Sequence, residues 1–286
     1  MGTTVTEFVV RPLEAADQPA TLDLINADRL PGQPEVTESM LADALAGRSS
    51  VDTGWWADLD APRTVVATDI AGQVAGAASF ATRARDGAGL ILWLHARENR
   101  VAVKALLRHM LNTLHGCRVI EAFSFATALG LGLEALPVRH RPVTAAALID
   151  AGFTSSDLWR YMGRSLPAEL PTAAGVRIEA SELGIRELAL LDGERTLAQA
   201  TVGVPVAGIG VLWWISSDPD LRGRGHGRAM LGSALQLLGE LGAREVILFV
   251  DDDEPGGERD RTAADRLYEQ SGFVEYDRLH SYRLER

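Results

Sequence analysis

The chain has 286 residues, of which 47% are apolar and 23% charged, a length and composition that suit two packed domains better than one. Its net charge of −11, from 28 basic and 39 acidic residues, is shared by both halves and argues against a general nucleic-acid binder, whose affinity comes from neutralising phosphates. No apolar run is long enough to cross a bilayer, the N-terminus carries no basic and apolar leader, and Cys117 is the single cysteine, so no membrane anchorage and a reducing cytoplasm are expected.

In chain order, the pattern predicts a strand at Thr6–Arg11, helices at Ala16–Ala27 and Glu38–Ala46, and strands at Arg63–Asp69, Gln73–Ala81 and Leu90–His95. A helix at Ala102–Leu114 and a strand at Arg118–Phe125 follow. Ser165–Gly175, with two prolines and a terminal glycine, reads as a linker between domains spanning residues 1–165 and 176–286. Beyond it, strands are predicted at Val176–Ala180, Glu187–Leu191, Leu197–Val202 and Ile209–Ser216. A helix over Gly227–Leu241, a strand over Glu245–Val250, a helix over Thr262–Gln270 and final strands complete the chain. Hairpins early and a strand–helix–strand unit late predict a mixed α/β sheet in each half.

The halves repeat each other. Arg141–Phe153 aligns without a gap on Arg261–Phe273, and both segments end a short helix in Gly-Phe. Glycine suits the left-handed C-cap, and Asp157 and Asp277 then fall at equal offsets. Leu148 takes the place of Tyr268.

The segment Val211–Leu231 carries the most chemical information. A strand ends at Ser216-Ser217, Pro219 stops it, and Arg222-Gly-Arg-Gly225-His-Gly227 opens into a helix with Met230, Ala234, Leu237, Leu238 and Leu241 on its expected apolar face. Glycines at 223, 225 and 227 permit close backbone approach, and unpaired first-turn N–H groups with the helix dipole favour an anion such as pyrophosphate. The spacing is not the dinucleotide G-x-G-x-x-G, and no Gly-Lys-Ser/Thr is present.

Here the chain resembles the GNAT superfamily of acyl-CoA N-acyltransferases. Arg222–Gly227 is similar to its cofactor signature, Gln/Arg-x-x-Gly-x-Gly/Ala, and Ala264–Phe273 resembles its second hallmark. The resemblance is strong from Val176 onward and weak before it. It implies two tandem GNAT-like domains, an arrangement similar to mycothiol synthases, with acetyl-CoA as acyl donor in the second. It implies that amides from Gly223 to Arg228, including His226, hold the pyrophosphate, with Arg222 and Arg224 beside it. It also implies that Ile215, Ser216 and Ser217 meet the pantetheine arm, that a strand amide polarises the thioester, and that Tyr268 protonates the departing thiolate. The acceptor would be the amine of a small molecule, attacking directly.

The chain also departs from the pattern. Arg261 stands where many members have asparagine, and Asp251–Asp260 lengthens the preceding loop, whose acids could attract or deprotonate an amine or simply face water. The short Ala180–Glu187 connection leaves no room for the helices that usually cover the acceptor, so the first half is expected to help form that site. In the first half, His95–Lys104 has no glycine where the cofactor loop would be, which marks this half as degenerate and non-catalytic. Of Trp213 and Trp214, one is expected in the core and one toward a ligand; Trp55-Trp56 reads as packing. No metal-ligand spacing is present. Two other readings are a silent acyl-CoA sensor or partner-binding module, and an aminoacyl-tRNA-dependent transferase, against which the intact loop and acidic surface argue.

Overall fold

The computed structural model describes residues 8–49, 51, 53–181, 184–251 and 261–286. They form two compact units, Met1–Leu158 with Asp277–Arg286, and Trp159–Tyr276. This division differs from the expected one at both ends of the second domain. Seven residues before Leu166 belong to the second unit, and the last ten of the chain belong to the first.

The first unit contains β1 (Val9–Pro12), α1 (Gln18–Ala27), α2 (Glu38–Leu45), α3 (Thr53–Trp56), β2 (Arg63–Thr68), β3 (Val74–Thr82) and β4 (Gly89–His95). It continues through α4 (Arg100–Thr113), β5 (Val119–Ala122), the short β6 (Leu136–Pro137), α5 (Pro142–Asp150) and the start of β7 (Thr154–Ser165). The second unit takes up β7 and adds β8 (Arg177–Ala180), β9 (Arg186–Asp192), β10 (Arg195–Val202), β11 (Ile209–Ser217), α6 (His226–Glu240), β12 (Glu245–Asp251) and α7 (Thr262–Gln270). The last strand, β13 (Val274–Glu285), begins in the second unit and ends in the first.

In the first unit the strands run β1-β2-β3-β4-β5-β13, and in the second β7-β12-β11-β10-β9-β8, so each is the expected mixed sheet. Most neighbours are antiparallel; β4 with β5 and β11 with β12 are parallel, each joined by a crossover helix. The strand predicted at Thr6–Arg11 starts at Val9 among the described residues. The helix α3 was not expected. It buries Trp56, whose Nε1 donates to Ala126 O at 3.0 Å, while Trp55 is half exposed and stacks on Phe125.

The helices follow their apolar stripes. In α4, Asn99 caps the first turn, and Ala102, Val103, Leu106, Leu107 and Met110 are buried. In α6 the buried face is Met230, Leu231, Ala234, Leu235 and Leu238, rotated from the expected one, with Leu241 at the C-cap. Gly232 explains the rotation. A Cβ there would lie 2.1 Å from Pro171 O, so the segment read as a linker packs directly on this helix, and Ala173 N donates to Ser233 Oγ at 2.9 Å.

The internal repeat holds in its hydrogen bonds. Phe153 N donates to Leu148 O at 3.1 Å, and Phe273 N to Tyr268 O at 3.0 Å, after Gly152 and Gly272 with φ of +93° and +81°. Leu148 and Tyr268 are therefore equivalent positions. Asp277 is buried and accepts from Arg139 N and His140 N at 2.9 and 2.8 Å, fixing the turn into α5.

A truncated chain beginning at Thr172 is expected not to fold. It lacks residues 159–165 of β7, which pair with all seven residues of β12. It also lacks Tyr161 and Met162, both fully buried, each worth roughly 1.5–3 kcal/mol against a typical total of about 5–15 kcal/mol. Arg160, whose guanidinium lies 2.6–2.9 Å from Asp265, Glu269 and Glu275, goes with them. Thermal unfolding followed by circular dichroism tests this; a cooperative transition from the truncated chain would refute it.

Candidate active site

Strands β11 and β12 pair only from Ile209–Leu212 against Glu245–Leu248. Beyond that point β11 continues against β10 alone and β12 against β7 alone, so the two diverge and one edge of β11 loses its strand partner. Trp213 is the residue passed over in the register with β10, a bulge at the start of the divergence. Its ring stacks on Phe249 with centroids 6.5 Å apart, while Trp214 on the opposite face is 53% exposed. Ile215, Ser216 and Ser217 lie on the free stretch and are half-buried.

Asp218 ends the strand. Its carboxylate accepts from Asp220 N at 2.9 Å and from Arg195 Nε at 2.5 Å, and these bonds hold it below the ordinary aspartate range. A single 3-10 turn over Pro219–Leu221 leads into the glycine segment. Gly223 and Gly225 take φ of +76° and +86°, the left-handed region that side chains disfavour. Gly225 is the N-cap of α6 and has no side chain to offer, and the first intrahelical bond is Ala229 N to Gly225 O. The amides of Gly223, Gly225, His226, Gly227 and Arg228 thus donate to no group among the described residues.

Around these amides stand Arg222, Arg224 and Arg228, all exposed and without ion pairs among the described residues, with His226 half-buried. In a chain of net charge −11 this is a local cationic cap on a helix N-terminus, suited to a phosphate group.

Tyr268, on α7, is 7% exposed and meets Phe273 edge to face. Burial first, and the Asp265 carboxylate second, push its phenol up to about 12. Its hydroxyl makes no hydrogen bond among the described residues. Of the acidic loop Asp251–Asp260, only Asp251 lies within the described residues. Arg261 clamps it with Nε and Nη2, both 3.0 Å from Oδ2. The arginine in place of the usual asparagine therefore neutralises the carboxylate at the end of β12.

The first unit repeats the geometry with different occupants. Strands β4 and β5 pair only from Gly89–Ile91, then diverge past a bulge at Leu92. Arg97 and Glu98 adopt φ of +46° and +53° without being glycine. Here side chains fill the positions that are open in the second unit. Asn99 Oδ1 accepts from Val101 N and Ala102 N at 3.0 and 3.2 Å, and Asp28 Oδ2 accepts from Ala96 N and Arg97 N at 3.1 and 3.2 Å. Glu98 bonds Arg141, Val143 N and Thr144 at 2.6–3.0 Å. The helix was expected only from Ala102, so Asn99 was missed as its cap, although asparagine is a favoured N-cap residue. Asp28, some seventy residues away, carried no local signal.

No group of acidic, histidine or cysteine side chains suited to a metal occurs among the described residues, and none of their helices is long and apolar enough to cross a membrane.

Residues 170–273 match the Acetyltransferase (GNAT) family. A mycothiol acetyltransferase of Geodermatophilus obscurus is 37% identical over 91 residues, and one of Beutenbergia cavernae 40% over 84. These matches cover 30% and 29% of this chain and 27% and 26% of those proteins, about a quarter of the relatives' length. Among solved structures, a GCN5-related N-acetyltransferase from Sphaerobacter thermophilus has a TM-score of 0.62 at 17% identity, covering 97% of this chain and 95% of that one. A tandem GNAT protein from the clavulanic acid biosynthesis pathway also gives 0.62, at 16% identity, covering 98% of each. The tandem GNAT fold thus extends over both units.

Proposed function

We propose that this protein, whose residues 170–273 form a GNAT acetyltransferase domain, transfers the acetyl group of acetyl-CoA to the amine of a small molecule. The observation that carries the reading is the set of amides at Gly223, Gly225, His226, Gly227 and Arg228 that have no acceptor among the described residues, flanked by three arginines without ion pairs among them. In this reading those amides and Arg222 and Arg224 hold the pyrophosphate, and the free edge of β11 at Ile215, Ser216 and Ser217 receives the pantetheine arm.

Acetyl-CoA supplies the acetyl group as a thioester. A backbone N–H of β11 hydrogen-bonds its carbonyl oxygen, a neutral amine attacks the carbonyl carbon, and the carbon–sulfur bond breaks. The Tyr268 hydroxyl donates a hydrogen bond to the departing sulfur, which leaves as the thiolate, and the amine loses one proton to water. Asp251 is tied to Arg261, and β11 carries no carboxylate or histidine.

The first unit is non-catalytic in this reading, because Asp28 and Asn99 already occupy its loop amides. Calorimetry is then expected to find one acetyl-CoA per chain; two equivalent sites would overturn the division of labour. Free-thiol release from acetyl-CoA across a panel of small amines tests the activity itself. Binding without thiol release from any amine would favour the alternative, an acyl-CoA sensor.

A further inference from the structure

The first unit contains a cavity of its own, formed where β4 and β5 diverge and open to solvent on one side. Its volume is about 80 Å³, and its walls are mostly apolar, among them Ile25, Leu92, Phe123, Phe125 and Leu136. A cavity of roughly 150 Å³ admits benzene, so this one holds a body of a few carbon atoms.

The titratable residues that line it are Asp28, Arg29, His95 and Arg141. The two oxygens of Asp28 are used unequally. Oδ2 accepts from Ala96 N and Arg97 N at 3.1 and 3.2 Å, and lies 3.4 Å from both Arg141 Nη2 and His95 Nδ1. Oδ1 makes no hydrogen bond among the described residues, yet it is not fully buried. Because the Asp28 side chain is only 5% exposed and lines the cavity, that free oxygen surface opens into it.

The carboxylate is ionised. Burial opposes its charge, but the hydrogen bond from His95, the Arg141 guanidinium and the Ala96 amide hold it below the ordinary aspartate range. Burial lowers the His95 imidazole and keeps it neutral. Arg141 is shared, because Glu98 Oε1 takes its Nε at 2.7 Å. Two carboxylates against one guanidinium leave one negative charge at this end of the cavity. Arg29 does not cancel it. That side chain is exposed, has no ion pair among the described residues and donates to Gln33 O at 2.9 Å, so its charge stands in water.

We propose that this cavity binds a small primary amine as its ammonium ion, which donates to Asp28 Oδ1 while its short apolar chain lies against Leu92 and Phe125. An ammonium ion meets both the free acceptor and the excess charge, whereas an alcohol meets only the first and a carboxylate neither. The first unit is then an amine-binding module in its own right, and its occupancy does not depend on acetyl transfer by the second.

The test uses the full 15N-labelled chain near neutral pH, without acetyl-CoA, and three probes of one size: butylamine, 1-butanol and butyrate. The readout is the amide resonances of Ala96 and Arg97, whose N–H groups donate to the same Asp28 carboxylate and so report on this cavity rather than on the second unit. We expect butylamine to shift both saturably, and 1-butanol and butyrate to bind at least about 10-fold more weakly for want of the charge-assisted hydrogen bond. Asp28→Asn is expected to weaken butylamine by a similar factor, because its amide oxygen takes the two N–H groups and its NH2 then replaces the free acceptor. Should that variant not fold, Leu133→Trp, which fills the space from a half-buried wall position, is expected to abolish binding. Ala96 and Arg97 resonances that butylamine does not move overturn the proposal. So do equal affinities for butylamine and 1-butanol, tighter binding of butyrate, which would assign the site to Arg29, or a folded variant that binds butylamine as the parent does.

Discussion

Tyr268→Phe is expected to lower kcat roughly 10²–10⁴-fold while acetyl-CoA affinity changes little. The ring packs in the core of the second unit and meets Phe273 edge to face, and phenylalanine preserves that packing. What is removed is one O–H group, which makes no hydrogen bond among the described residues, so no other group is orphaned. With its phenol held up to about 12, Tyr268 is protonated throughout the physiological range, and its ionisation should cause no alkaline fall in rate until the pH approaches that value. Transfer to a thiolate of ordinary pKa near 8.5 is uphill, so the group works by donating a hydrogen bond as charge grows on sulfur. That places the expected loss toward the lower end of the range. Single-turnover and steady-state rates measured together separate chemistry from product release. An unchanged single-turnover rate removes Tyr268 from the mechanism and leaves the cofactor site intact.

Gly225→Val is expected to abolish acetyl-CoA binding and to leave the fold standing. At φ +86° a residue with a branched Cβ is strained by about 1–3 kcal/mol, a cost an exposed loop can absorb by shifting. A Cβ at this position would meet nothing within 4 Å among the described residues, so no core contact is broken. The side chain would instead stand beside the amides of His226, Gly227 and Arg228, where the pyrophosphate is proposed to lie. Calorimetry should show no binding at concentrations that saturate the parent protein, with a melting temperature lowered by only a few degrees. Retained affinity would move the cofactor away from this loop. A collapse of the melting transition would mean that the glycine serves the fold, and Gly223→Ala would then carry the test.

The sequence by itself determined what depends on short-range chemistry. The glycine segment before α6, the Gly-Phe ends of α5 and α7 and the mixed α/β character of each half were all legible, because turns, caps and apolar periodicity are written within a few residues. The internal repeat was legible for the same reason, and the matched bonds at Leu148 and Tyr268 bear it out. Only the tertiary structure decided what depends on residues far apart in the chain. Asp28 reaches the amides of Ala96 and Arg97, so the first unit's loop is filled from within. Arg261 claims Asp251, which proximity to the proposed site had made a candidate base. Pro171 settles on Gly232 and rotates the buried face of α6, turning an expected linker into part of a core. The unit boundary falls within β7 and β13 because backbone ladders, not composition, decide which sheet a strand completes, and a ladder partner leaves no mark in the strand's own sequence.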